Sequence, residues 1–246
     1  MIKINKDKKK KVLILGGSSD IATDLIPKLI NKDYQITAHY SSNLTNVKKL
    51  KKRFNKIKFI KQNFYKITKK NLNKFLKNSD IKNNATLINL VGYVDKKTYQ
   101  KTSLEQTLES IKINTLIPNL IIRENLKFMK KIKYGRILNC SSIGVKFGGG
   151  DKTYNYSLSK HLLEFIPRYI KEHAKLNIII NNIRIGYTNT KIHKKIKNAN
   201  KLKSRIKKIP VGRAAATNEI ANYISNFISK ENSFITNETI TIAGGE

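Results

Sequence analysis

The chain has 246 residues, enough to bury a sizeable core in one domain, and 50 Lys+Arg against 16 Asp+Glu give a formal net charge of +34. No apolar run approaches the roughly 18 residues that a membrane helix requires, and the single cysteine, Cys140, excludes an internal disulfide and points to a reducing cytoplasm. The positive charge is mostly lysine, with seven arginines, and is spread over the whole length, whereas nucleic-acid surfaces favour arginine forks and aromatic stacking gathered in a patch.

In chain order, apolar runs of strand length alternate with helix-period segments, the pattern of βαβ units around a parallel sheet. The basic N-terminus leads straight into a strand over 12–15, an apolar stretch too short for a signal segment. A helix over 20–31 follows, then a strand over 34–40, a Lys-rich helix over 46–55, a strand over 57–62, a helix over 71–76 and a strand over 86–91. A long helix is expected over 104–129, with a kink at Pro118. A strand over 136–140, a helix over 156–173, a strand over 177–183, a helix over 218–229 and a strand over 238–242 complete the pattern. The expected fold class is α/β, a single doubly wound parallel sheet of Rossmann type with helices on both faces, in one domain over 1–246. Between 187 and 209 runs an irregular Lys- and Asn-rich stretch, read as a lid over a substrate cleft.

Chemistry concentrates in two places. The segment Leu13 to Ala22 reads as strand, tight turn and helix start: Gly16 lets the backbone approach a phosphate, Ser18 and Ser19 supply donors, and the free N–H groups at the helix start attract anions. It does not match the full G-x-G-x-x-G pattern; Asp20 adds a negative charge or serves as the helix N-cap. Tyr156 and Lys160 stand four apart on one helix face. An ammonium there is expected to draw the tyrosine pKa down from about 10, as a general acid/base needs. Tyr154 is a rival that lacks a lysine four residues on. The four histidines show no metal-ligand spacing, and no metal site is expected.

Taken together, these motifs resemble the short-chain dehydrogenase/reductase family over nearly the full chain. Leu15 to Ala22 occupies that family's TGxxxGxG segment and keeps its first glycine, Gly16; Asn89-Leu90-Val91-Gly92 fits its NNAG segment; Asn63 stands where an Asp often meets the adenine. Asn114 matches the asparagine of the fourth helix. The strand from Gly135 to Ser142 resembles the one delivering the catalytic serine, with Ser142 preferred and Ser141 the fallback. Asn181 to Thr190 resembles N-x-x-x-PG-x-x-x-T, with Ile185 in place of proline.

The resemblance implies hydride transfer between a nicotinamide and a carbonyl or alcohol carbon. Tyr156 would supply the proton, Lys160 would tune it and bind ribose, Ser142 would hold the substrate oxygen, and Asn114 would position a water leading to solvent. Gly16, Ser18, Ser19, Asp20, Ile21, Tyr40, Ser41, Ser42, Asn63, Asn89, Val91, Gly92, Ile185, Gly186 and Thr188 would line the cofactor with Tyr156 and Lys160. No acid follows the second strand in His39-Tyr40-Ser41-Ser42-Asn43, so NADP(H) is preferred and NAD(H) is the alternative. The pattern looks most like 3-oxoacyl-[acyl-carrier-protein] reductases, whose acidic carrier a basic surface would suit; a sugar or other small metabolite is the alternative substrate, and a non-catalytic dinucleotide- or nucleic-acid-binding protein the non-enzyme one. A homo-oligomer, tetramer or dimer, built on the helices of Asn114 and Tyr156 is implied as well.

Overall fold

The computed structural model describes residues 10–191 and 204–246. Seven parallel strands form one sheet in the order β3-β2-β1-β4-β5-β6-β7, from β1 (Lys11–Leu15), β2 (Gln35–Tyr40), β3 (Lys58–Lys61), β4 (Thr86–Asn89), β5 (Gly135–Ser142), β6 (Ile178–Ile185) and β7 (Thr239–Ile242). The strand order reverses between β1 and β4, which is where ligands lodge in open α/β sheets.

Alternation along β1 sends Leu13 and Leu15 to one face and Val12 and Ile14 to the other, and each face has its own core. The first is closed by α3 (Lys69–Lys77), the short α4 (Ser79–Lys82) and α6 (Ile117–Ile132), through Phe75, Ile81, Ile121 and Met129. The second is closed by α1 (Asp20–Ile30), α2 (Leu44–Arg53) and α9 (Thr217–Phe227), through Leu25, Leu29, Leu50 and Ile224. Burying each such side chain contributes about 1.5–3 kcal/mol, so a doubly wound sheet follows from strands that are apolar on both faces. Among the described residues no helix is long and apolar enough to cross a membrane.

Prolines redraw two of the expected helices. The helix expected over 104–129 runs as α5 (Leu104–Ile111), a π-turn (Lys112–Leu116) and α6, and it extends to Ile132. Pro118 sits in the first turn of α6 and has no N–H for the Asn114 carbonyl four residues earlier, so the chain widens just ahead of it. The helix expected over 156–173 is broken: α7 spans Tyr154–Leu163 and α8 spans Arg168–Lys171. Pro167 cannot donate to the Leu163 carbonyl, and its ring crowds that group. Of the expected lid over 187–209, residues 192–203 lie outside the described residues.

Candidate active site

The turn after β1 is shaped by close approach. Gly16 takes φ +75°, and a Cβ there would lie 2.8 Å from the Leu90 carbonyl oxygen; a Cβ on Gly17 would lie 2.7 Å from that of Ala38. Gly17 N–H donates to the His39 carbonyl at 2.7 Å, and Gly16 N–H points to His39 Nδ1 at 3.4 Å. The His39 ring stacks on Phe64 and gives its Nε2 to Gln62 O at 2.8 Å; burial holds its pKa down to about 4.

Ser19, rather than Asp20, caps α1: its hydroxyl accepts from Ala22 N–H at 3.2 Å, and Asp20 is the first helical residue. The Asp20 carboxylate accepts from the Lys191 main-chain N–H at 2.7 Å and from Asn46 Nδ2 at 3.2 Å. Asn43 and Asn46 both donate to Ser18 O at 2.9 Å, pinning the turn to the start of α2. The sequence reading missed Asn43 and Asn46, whose role depends on contacts 25 and 28 residues away. The Asp20 and Ile21 amides at the start of α1 have no intrahelical partner and remain available to an anion. Glycines that only a missing Cβ permits, open helix N–H groups and a β2 end without an acid fit a dinucleotide phosphate.

At the end of β4, Asn89 Oδ1 accepts from Val91 N–H at 3.1 Å. Asn63 instead uses Oδ1 for the local amides of Tyr65 and Lys66, at 2.9 and 3.4 Å. Beyond β6, Gly186 N–H donates to Ile242 O at 2.8 Å, and Thr188 Oγ1 donates to Gly186 O at 3.0 Å. Gly16, Asn89, Ser142 and Ile185 all lie at the carboxyl ends of adjacent strands, since Leu15 pairs with Asn89, Asn89 with Asn139, and Ser142 with Ile185.

Tyr156 and Lys160 project from α7 onto this edge. Lys160 is 2% exposed, and its ammonium donates to Val91 O at 2.7 Å and Cys140 O at 2.6 Å. Burial lowers its pKa to about 8. Tyr156 shares a hydrogen bond with Ser142, yet burial pushes its pKa up to about 12. The expectation that Lys160 draws the tyrosine down is therefore not met in the free protein: desolvation outweighs every favourable contact. The phenol is firmly protonated at neutral pH, the state that a proton donor needs. A Cβ on Gly92 would lie 3.9 Å from the Tyr156 hydroxyl, so glycine keeps the space in front of it open.

The two candidate serines differ in their partners. Ser142 Oγ accepts from Gly144 N–H at 3.1 Å and meets Tyr156, whereas Ser141 Oγ donates to Glu164 Oε1 at 2.7 Å. Asn114 lies in the π-turn, fully buried, with its amide bonded to both main-chain groups of Tyr93 at 2.8 and 2.9 Å and to Ser159 Oγ at 2.9 Å. Its side chain is thus spent on structure, and its carbonyl is the group that Pro118 leaves without an α-helical donor. Among the described residues no group of three or more His, Cys, Asp or Glu could hold a metal ion.

Known proteins resemble this chain in sequence and fold. A family model described as enoyl-(acyl carrier protein) reductase matches residues 77–246. The chain is 30% identical to a 3-oxoacyl-[acyl-carrier-protein] reductase of Aquifex aeolicus, over 95% of this chain and 86% of that one. It is 29% identical to the reductase of the same name from Buchnera aphidicola, over 98% of each. Its fold matches that of an NADPH-dependent reductase involved in bacilysin biosynthesis, with a TM-score of 0.85 and 20% identity over 96% of this chain and 97% of the other. With a parallel seven-stranded sheet and these relatives, the chain belongs to the short-chain dehydrogenase/reductase family, oxidoreductases acting on CH–OH and C=O groups.

Proposed function

We propose that the protein is an NADP(H)-dependent reductase of 3-oxoacyl thioesters, presented on an acidic carrier protein, with Tyr156 as the proton donor. The observation that carries this is the Tyr156 hydroxyl paired with Ser142, beside a Lys160 ammonium that two main-chain carbonyls hold in place. A nicotinamide, when bound, supplies the hydride.

The residues of this chain do the rest. Ser142 and Tyr156 hold the substrate oxygen, and Tyr156 gives its proton as negative charge develops there. The phenolate left behind is stabilised by Lys160, which stays charged below about pH 8. The Asn114 carbonyl, at the π-turn, receives a water through which the proton is restored. Gly16, Ser18, Ser19, Asp20 and Ile21 hold the phosphates; Asn63 reads the adenine; Asn89, Val91, Gly92, Ile185, Gly186 and Thr188 bound the nicotinamide end.

The NADP(H) preference is supported by Tyr40, Ser41 and Ser42, which bring no acid to the ribose, and by exposed Lys61 on β3, paired in register with Tyr40. Carrier recognition is supported by the +34 charge and by the relatives' names. A homotetramer is supported by apolar side chains left in solvent on α5, in the π-turn and in the break after α7: Leu104, Leu108, Leu116 and Phe165 are 68, 54, 53 and 72% exposed. The chain acts as one domain, in the cytoplasm.

Fluorescence titration with NADPH and NADH, followed by turnover of acetoacetyl thioesters, tests the reading. Tighter binding of NADPH and thioester reduction are expected; failure to bind either nucleotide would end it.

A further inference from the structure

The break at Pro167 leaves Glu164 as the C-cap of α7, one turn beyond Lys160. Its main-chain carbonyl accepts from Asn182 Nδ2 at 2.9 Å. Its carboxylate is nearly buried, at 8% exposure against 27% for the Arg184 side chain. Arg184 grips it with two prongs, Nε to Oε1 at 2.8 Å and a terminal nitrogen to Oε2 at 2.6 Å. Ser141 Oγ donates to the same Oε1 at 2.7 Å and lies 3.4 Å from the Lys160 carbonyl oxygen. Ser141 precedes Ser142 on β5, and Arg184 precedes Ile185 on β6.

Lys160 meanwhile is a buried ammonium whose direct contacts are two carbonyl dipoles, an arrangement that costs free energy unless a counter-charge lies near. We propose that Glu164 is a positioning residue for the reaction: clamped between Ser141 and Arg184, its carboxylate supplies the counter-charge of Lys160 and ties α7 to the strand ends carrying Ser142 and Ile185. The groups facing Lys160 bear this out. From β5 comes Cys140, whose thiol burial pushes up to about 12, so it is neutral at working pH. From α7 come Tyr156, also protonated, and Glu164, which favours the ammonium. Arg184, paired with Glu164, carries the charge that opposes it.

The inference rests on Lys160 being the catalytic lysine, and its test is read without turnover. In cofactor-free protein labelled with ¹³C at lysine Cε, Lys160 is the resonance missing from Lys160→Arg and titrating below the others. Glu164→Gln removes the counter-charge and is expected to move that titration down by roughly one unit; Arg184→Met leaves the carboxylate uncompensated and is expected to move it up. Should a single variant fail to fold, the double variant, which leaves no unpaired charge, is expected to titrate below wild type because the net attraction is lost. Shifts of the two single variants in the same direction, or no shift in the variants that fold, would overturn the proposal. A wild-type protein that shows these shifts but reduces no carbonyl would instead remove the proposed function.

Discussion

Gly17 offers the sharpest test of why the chain turns as it does after β1. A Cβ built there lies 2.7 Å from Ala38 Cβ and 3.2 Å from Ala38 Cα, where carbon pairs settle at about 3.5–4.0 Å. Ala38 is fully buried in β2, so the clash can be relieved only by moving β2 or the turn. Overpacking of this kind costs about 1–3 kcal/mol, which for a chain of this size lowers Tm by about 2–4 °C per kcal/mol. Movement would also stretch the 2.7 Å bond from Gly17 N–H to His39 O and misplace the phosphate turn. Gly17→Ala is thus expected to lower Tm by about 2–12 °C and to weaken NADPH binding. Ala38→Gly alone costs about 0.5–1 kcal/mol, yet combined with Gly17→Ala it removes the clashing carbon. Calorimetry and nucleotide titration on all four proteins should give a favourable coupling of at least about 1 kcal/mol and recovered affinity. Strictly additive effects, or a Gly17→Ala protein with unchanged Tm, would refute the close-approach argument.

Other consequences follow from the buried groups and the exposed helices. Because the Lys160 pKa is lowered to about 8, its ammonium is present below that pH and lost above it, so the rate of carbonyl reduction should fall as pH rises through about 8; a rate flat to pH 9.5 would exclude this role. His39, held down to about 4 from 6.5, binds no proton in the fold where the unfolded chain does. Stability is therefore complete above pH 6.5 and drains as pH falls towards 4, by about 3 kcal/mol at 1.36 kcal/mol per unit. In urea titrations at pH 7 and 4.5, His39→Phe should lose most of that difference. Replacing Leu108 and Phe165 together by Glu should yield a monomer by light scattering, where wild type should give a tetramer; an unchanged mass would place the contact elsewhere.

What could be read from the sequence was what local pattern encodes. Strands such as Val-Leu-Ile-Leu in β1 are apolar on both faces, and that alone implies layers on both sides. Tyr156, Lys160 and Ser142, which the fold brings together, were singled out by spacing and order along the chain. Pro118 announced a kink, but not the π-turn just ahead of it, nor that the Asn114 side chain is taken up by Tyr93, 21 residues away. The end of α7 was missed although Pro167 stood in view: the surrounding apolar residues keep a helical period on both sides of it. The Tyr156 pKa was misjudged because spacing shows the nearby lysine but not the depth of burial, and burial is the larger effect. Glu164 carried no local signal, since its partners lie on two other strands.

The central claim is that Tyr156 donates the proton in a nicotinamide-dependent reduction. Its most direct test is NADPH oxidation with an acetoacetyl thioester by wild type and Tyr156→Phe, with nucleotide affinity measured on both. The account predicts clear wild-type turnover, at least about a hundredfold less in the variant, and NADPH binding that changes little. A Tyr156→Phe protein that turns over substrate like wild type would contradict it.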